Sequence, residues 1–211
     1  MNTTSVGPAW RILHARDRAG ALHAMGLSVP VVREVRVMEA TAPALVLGST
    51  QAAVDRGDID VVRRRSGGGA VLVEPGRLVW IDVVVPRDDD LWDDDVGRAF
   101  WWLGDAWAAA LGELGVTGAE VHRGPLVRTP LSDTVCFAGL GPGEVTVAGR
   151  KAVGIAQRRT REGALFQCAV PLAWDGPRLA ELLGLDRLDT DVFVVSRSRD
   201  EVVEAFLAQL L

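Results

Sequence analysis

The residues best suited to chemistry lie in two glycine-bearing segments and at one cysteine between them. The first segment reads Arg63-Arg64-Arg65-Ser66-Gly67-Gly68-Gly69-Ala70. Three consecutive glycines lack Cβ atoms, so the backbone can take positive φ, approach a ligand closely and present N–H groups to its oxygens. The adjoining arginines can add paired, charge-assisted hydrogen bonds to a carboxylate or phosphate. A flexible turn with solvated arginines is the plainer reading of the same residues. A P-loop is excluded because no Gly-Lys-Ser or Gly-Lys-Thr closes the segment, and a dinucleotide fingerprint because the Gly-x-Gly-x-x-Gly spacing is missing.

The second segment reads Gly149-Arg150-Lys151-Ala152-Val153-Gly154-Ile155-Ala156-Gln157. Lys151 follows a Gly-Arg turn and enters a strand whose small residues, Gly154 and Ala156, leave room for a ligand against a sheet. There a compact ammonium can hold a carboxylate or stabilise the oxyanion that forms when a carbonyl is attacked. An exposed lysine at a strand end is the alternative. Cys136 lies upstream, in Asp133-Thr134-Val135-Cys136-Phe137. A cation beside such a thiol favours the nucleophilic thiolate, whereas a buried cysteine behaves as a small hydrophobe.

These residues need a scaffold, and the pattern of the chain supplies one. Short apolar runs predict strands over 35–38, 45–47, 61–64, 70–73 and 78–85, with Pro75 and Gly76 in a tight turn before the last. Asp93, Asp94 and Asp95 precede an apolar-periodic helix over 96–114, where acidic residues complement the positive helix start and Gly115 ends it. Trp101, Trp102 and Trp107 on that helix read as core aromatics. Further strands are expected over 119–121, 134–137, 144–147, 152–158 and 164–170, and helices over 177–183 and 199–210. Strands come in runs instead of alternating with helices, so the expected class is α+β: a central, mostly antiparallel sheet flanked by helices.

Length and charge narrow the function classes. At 211 residues one domain is expected over the whole chain. The net charge of -5 provides no general attraction to nucleic acid or an anionic membrane, and neither is expected as a partner. Two cysteines, Cys136 and Cys168, are too few for a disulfide framework and fit no metal-ligand spacing. Residues 1–8 carry no leader pattern, and no run of about 18 apolar residues occurs, so a cytoplasmic enzyme is expected. His14, His23 and His122 are scattered and receive no role.

Together the segments resemble the lipoate-protein ligase and octanoyltransferase family. Its loop, Arg-Arg-x-Ser/Thr-Gly-Gly-Gly-Ala, is matched by Arg63, Arg64, Ser66, Gly67, Gly68, Gly69 and Ala70, and its Gly-x-Lys-x-x-Gly-x-Ala motif by Gly149, Lys151, Gly154 and Ala156. Upstream, Gly48 and Gln51 look like the family's Gly-x-x-Gln turn. The resemblance covers roughly residues 35–185. It implies a class II synthetase-like catalytic domain with an acyl pocket on the sheet. In it the glycine loop, Arg64 and Ser66 surround the acyl head group, Lys151 contacts the acyl carbonyl, and Gly154, Ala156 and Gln157 form part of the wall.

Two reactions are implied. An octanoyltransferase takes the acyl group from a thioester on acyl carrier protein and holds it on a cysteine; Cys136 with Phe137 resembles the Cys-Phe of one such class. A ligase instead activates free lipoate with ATP and Mg. Either would modify a lysine of a lipoyl domain or a glycine cleavage H-type protein, with no permanently bound cofactor. The turn Gly-Arg-Asn-Asp of well-known ligases is missing, and no C-terminal accessory domain is expected, both of which point to transfer. Val73-Glu74-Pro75-Gly76-Arg77 stands where the family often has His-Asp-x-Gly-Asn, and Cys168 where it usually has a His-Gly pair. The family's N-terminal helix is not recognisable in 18–27. A biotin-protein ligase fits less well because Gly48-Ser49-Thr50-Gln51 replaces its Gly-Arg-Gly-Arg loop. A non-catalytic acyl-binding homologue is the alternative from another class.

Overall fold

A computed structural model describes residues 9–54 and 59–211 of the protein; residues 1–8, where no leader is expected, lie outside them. In chain order the elements are β1 (Arg11–Asp17), α1 (Ala19–Ala24), β2 (Glu34–Ala40), β3 (Ala44–Leu47), β4 (Asp60–Arg63), β5 (Val71–Val73) and β6 (Leu78–Pro86), then α2 (Trp101–Glu113) and β7 (Ala119–Val121). They continue with β8 (Val145–Val147), β9 (Arg150–Arg159), β10 (Gly163–Pro171), α3 (Gly176–Leu183) and α4 (Arg199–Ala208).

Seven strands form one sheet in the order β1-β2-β6-β10-β9-β8-β7, antiparallel throughout except for the parallel pair β1 and β2. The remaining three strands form a separate small sheet, β4-β3-β5. Thus the α+β class and the mostly antiparallel central sheet hold, while the strands expected at 45–47, 61–64 and 70–73 leave it. The cause lies in β3, whose four residues are all buried. Its side chains alternate: Ala44 and Val46 pack with Met38 and Trp80, and Leu45 and Leu47 with Leu179 and Leu182 of α3. Such a strand needs cover on both faces, so it sits between the large sheet and α3.

The same alternation splits the large sheet. Val37, Ile81, Val83, Phe166 and Cys168 enter one core with α2 and α4, in which Trp107 stacks on Phe206 at 4.0 Å. Trp80, Asp82, Gln167, Ala169, Gly154 and Ala156 alternate with them and occupy the other face, under the small sheet. Across it, Trp80 pairs with Ala169 and Ala169 with Gly154; one step along, Asp82 pairs with Gln167 and Gln167 with Ala156.

Two local expectations change, and two elements are new. The helix foreseen over 96–114 starts with a 3-10 turn at Arg98–Phe100 before α2; Asp95 caps that start by accepting from the N–H groups of Gly97 and Arg98 at 2.8 and 3.0 Å, and Gly115 ends the helix at φ 80°. The strand foreseen over 134–137 is only a bridge of Val135 to Ala70, after which Cys136–Ala138 turns as 3-10 helix. β1 and the six-residue α1 were not foreseen; the latter falls in the 18–27 stretch. Among the described residues, no helix is long and apolar enough to cross a membrane.

Candidate functional site

The glycine loop is laid against the Cys136 segment by backbone fit. Ala70 N–H donates to Thr134 O at 2.8 Å, and Cys136 N–H to Ala70 O at 3.0 Å. At Gly69 a Cβ would stand 2.4 Å from the carbonyl carbon of Val135, so only glycine permits this approach. Gly48 is as tight: its Cβ would lie 1.8 Å from Gly68 O. Gln51 clamps the junction, accepting from Gly48 N–H at 2.8 Å and donating to Thr134 O at 3.0 Å. This gives the Gly-x-x-Gln turn its physical purpose.

Arg64 is 5% exposed and braces the loop from inside. Its Nη2 donates to Gly67 O at 2.7 Å and Gly69 O at 2.9 Å, and lies 4.0 Å from Cys136 Sγ. The guanidinium therefore shapes the loop with most of its donors and leaves an edge toward the thiol. Ser66 and Ala70 are buried behind the loop. The Ser66 hydroxyl donates to Gln167 Oε1 at 2.9 Å, tying the loop to the floor of the large sheet.

Lys151 is also 5% exposed. Its Nζ donates to Cys136 O at 2.9 Å and Gly139 O at 3.1 Å, and pairs with Glu144 Oε2 at 2.7 Å. Gly154 makes room for this side chain, since a Cβ there would meet Lys151 Cε at 3.2 Å. Glu144 is fixed in turn by the N–H groups of Gly141 at 2.6 Å and Ile155 at 2.9 Å. An ammonium has three donors, and all three are engaged.

Two cavities meet at these residues. One is a mainly apolar pocket between the sheets, lined by Val46, Val71, Leu78, Trp80, Gly154 and Ala169, with Arg64, Cys136 and Ala156 also on its wall. The other is an open polar cleft of about 1100 Å³, lined by Gly67, Gly68, Gly69, Lys151, Glu144 and Gln157, again with Arg64, Cys136 and Ala156. Cys136 thus stands where an apolar pocket opens into a polar cleft. Of the residues singled out from sequence, Lys151, Cys136, Arg64, the three glycines, Gly154, Ala156 and Gln157 converge here, while Ser66 and Ala70 serve the scaffold behind the loop. Gln157 keeps a buried Nε2 without a hydrogen-bond partner.

Four site residues escaped the sequence reading: Glu144, His23, Asp82 and Gln167. His23 packs on Trp80 with ring centroids 4.3 Å apart, and its Nδ1 lies 3.2 Å from Gln167 Nε2. Burial, with the Arg64 charge, lowers its imidazole to about 4. Asp82 accepts from Trp80 Nε1–H at 2.7 Å. Burial lifts its carboxyl to about 7 in spite of that bond and the Arg36 charge. Polar residues inside the apolar runs 78–85 and 164–170 were the available signal for Asp82 and Gln167; His23 carried none. Cys168 is fully buried, its thiol held protonated by burial, and it packs in the α2 core. Among the described residues no three His, Cys, Asp or Glu side chains form a group able to hold a metal ion.

The chain is 24% identical over 193 residues to the octanoyltransferase LipM of Clostridioides difficile (strain 630), covering 82% of this chain and 69% of that protein. Its fold matches a crystal structure of lipoate-protein ligase A bound with ATP at a TM-score of 0.73 and 21% identity, over 95% of this chain and 83% of that one. A bipartite lipoate protein ligase from Thermoplasma acidophilum, described with its E2 lipoyl domain, matches at a TM-score of 0.69 and 20% identity, over 95% and 81%. The model of the lipoyl protein ligase A/B catalytic domain matches residues 32–204. The chain belongs to the lipoyl protein ligase A/B catalytic-domain family, and so to the enzymes that ligate lipoate or transfer octanoyl groups.

Proposed function

We propose that this protein moves an octanoyl group from the thioester of an acyl carrier protein to a lysine of a lipoyl-domain or glycine cleavage H-type protein, by way of a thioester on Cys136. The observation that carries the reading is the place of Cys136 at the joint of the two cavities. An acyl chain lies in the apolar pocket, and the polar cleft receives first the donor's thioester end and then the acceptor lysine.

In the first step the Cys136 thiolate attacks the donor carbonyl, forming a C–S bond and an oxyanion. Collapse of the oxyanion breaks the donor C–S bond, and the released thiolate takes a proton from solvent. In the second step the neutral amine of the acceptor lysine attacks the Cys136 thioester. The amide C–N bond forms, the C–S bond breaks, and the amine's proton neutralises the Cys136 thiolate. Lys151 serves both oxyanions by exchanging one backbone partner; its bond to Gly139 O, the longer of its two carbonyl contacts at 3.1 Å, is the one replaced. Preorganised donors of this kind act where charge develops. The reading takes the whole chain as a single catalytic domain.

Reconstitution with octanoyl carrier protein and a lipoyl-domain acceptor tests this. Peptide mass spectrometry is expected to find the acceptor lysine octanoylated without ATP by the wild-type protein and unmodified with Cys136→Ala. Modification that requires ATP and free lipoate, and that Cys136→Ala retains, would replace transfer with ligation.

A further inference from the structure

The pocket face of the large sheet carries a graded row of side chains. Gly154, Ala169 and Trp80 stand directly across from one another on β9, β10 and β6. Lys151 lies over the glycine end of the row, and the indole closes the other. The floor is thus without side chain, then a methyl group, then the largest side chain available. Two strand spacings separate Gly154 from Trp80, about 10 Å, which matches the reach of an extended chain of about eight carbons.

Trp80 is also held in place. Its Nε1–H donates to Asp82 at 2.7 Å, and His23 packs on the ring. Gln167 keeps His23 in position through Nδ1 and is itself held by Ser66 of the glycine loop. A buried aromatic with its polar atom satisfied and one face covered has little freedom to swing aside.

We infer that Trp80, fixed by Asp82 and His23, is the end wall of the acyl pocket and limits the substrate to a straight saturated chain of about eight carbons, excluding tails that are longer or end in a ring. The inference deepens the transfer reading by naming its chain-length determinant, and it rests on that reading for the identity of the ligand as an acyl group.

Binding can be measured by calorimetry with hexanoic, octanoic, decanoic, dodecanoic and lipoic acids, which reads the pocket whether or not Cys136 forms a thioester. With the wild-type protein, affinity is expected to rise about fourfold per added methylene up to octanoic acid and then to fall. With Trp80→Ala the rise should continue to decanoic and dodecanoic acids, and lipoic acid should gain affinity as well. Ala169→Leu, which fills the middle of the row, should move the optimum to hexanoic acid. It provides the test if Trp80→Ala does not fold. A folded Trp80→Ala with the wild-type length profile overturns the inference, as does an Ala169→Leu protein that prefers octanoic acid unchanged. Loss of Cys136 acylation with the length profile intact would count against the transfer reading alone.

Discussion

Replacing Asp82 with asparagine isolates the energetics of the network that holds Trp80. The carboxyl is fully buried, and burial raises it from 3.8 to about 7, opposed by the Trp80 indole N–H, the Arg36 charge and Gln167. The folded protein therefore binds this proton more tightly than the unfolded chain does. Below the unfolded value the carboxyl is protonated in both states and the contribution to stability is complete. It is lost progressively as pH rises from about 4 to about 7, and above that the loss is constant. A span of about three pH units corresponds to about 4 kcal/mol. The amide that replaces the carboxyl does not titrate and has no such dependence, yet its oxygen can still accept from Trp80. The stability of Asp82→Asn relative to wild type should thus increase by up to about 4 kcal/mol between acidic and mildly alkaline pH. His23, lowered to about 4, acts in the opposite sense, since its contribution is lost as pH falls through the same window. It is present in both proteins and largely cancels in the difference. Urea unfolding followed by tryptophan fluorescence across this range provides the comparison. A difference that stays level with pH would refute the assignment of a buried, proton-holding Asp82.

Other perturbations probe the site more directly. Glu144→Gln removes one partner from a pair whose side chains are only 5% and 6% exposed, so chemical denaturation should show a loss of about 3–5 kcal/mol; an unchanged unfolding midpoint would mean that the pair is not buried as described. Gly69→Ala forces a methyl group to within 2.4 Å of the Val135 backbone. It should cost about 1–3 kcal/mol and depress acyl transfer by displacing Cys136. Gly67→Ala is the matched control, because a Cβ there meets nothing within 4 Å, and its stability should remain within about 0.5 kcal/mol of wild type.

The residues that meet at the candidate site were more legible than the architecture. The glycine triplet, Cys136 and Lys151 could be read locally because each depends on residue type: absence of Cβ, a thiol, an ammonium. The small sheet could not, since β3 is an apolar run like the others, and only its two-sided burial between the large sheet and α3 separates it from them. The 134–137 segment reads as a strand from its Val and Phe, but one bridge to Ala70 is all the pairing available before the chain turns to present Cys136. Glu144 was missed for a different reason. Its importance arises from a tertiary pairing with Lys151 that turn residues around it do not announce. His23 belongs to a short helix that was itself unforeseen, so its position over Trp80 depended on a packing that local pattern cannot carry.

Intact-protein mass spectrometry after brief exposure to octanoyl carrier protein, with no acceptor present, addresses the joint role of the pocket, the cleft and the thiol between them. The account predicts a single added octanoyl group, mapped to Cys136 by peptide sequencing, absent from Cys136→Ala, and discharged when a lipoyl-domain acceptor is supplied. A protein that remains unmodified while still passing the octanoyl group to the acceptor would contradict it.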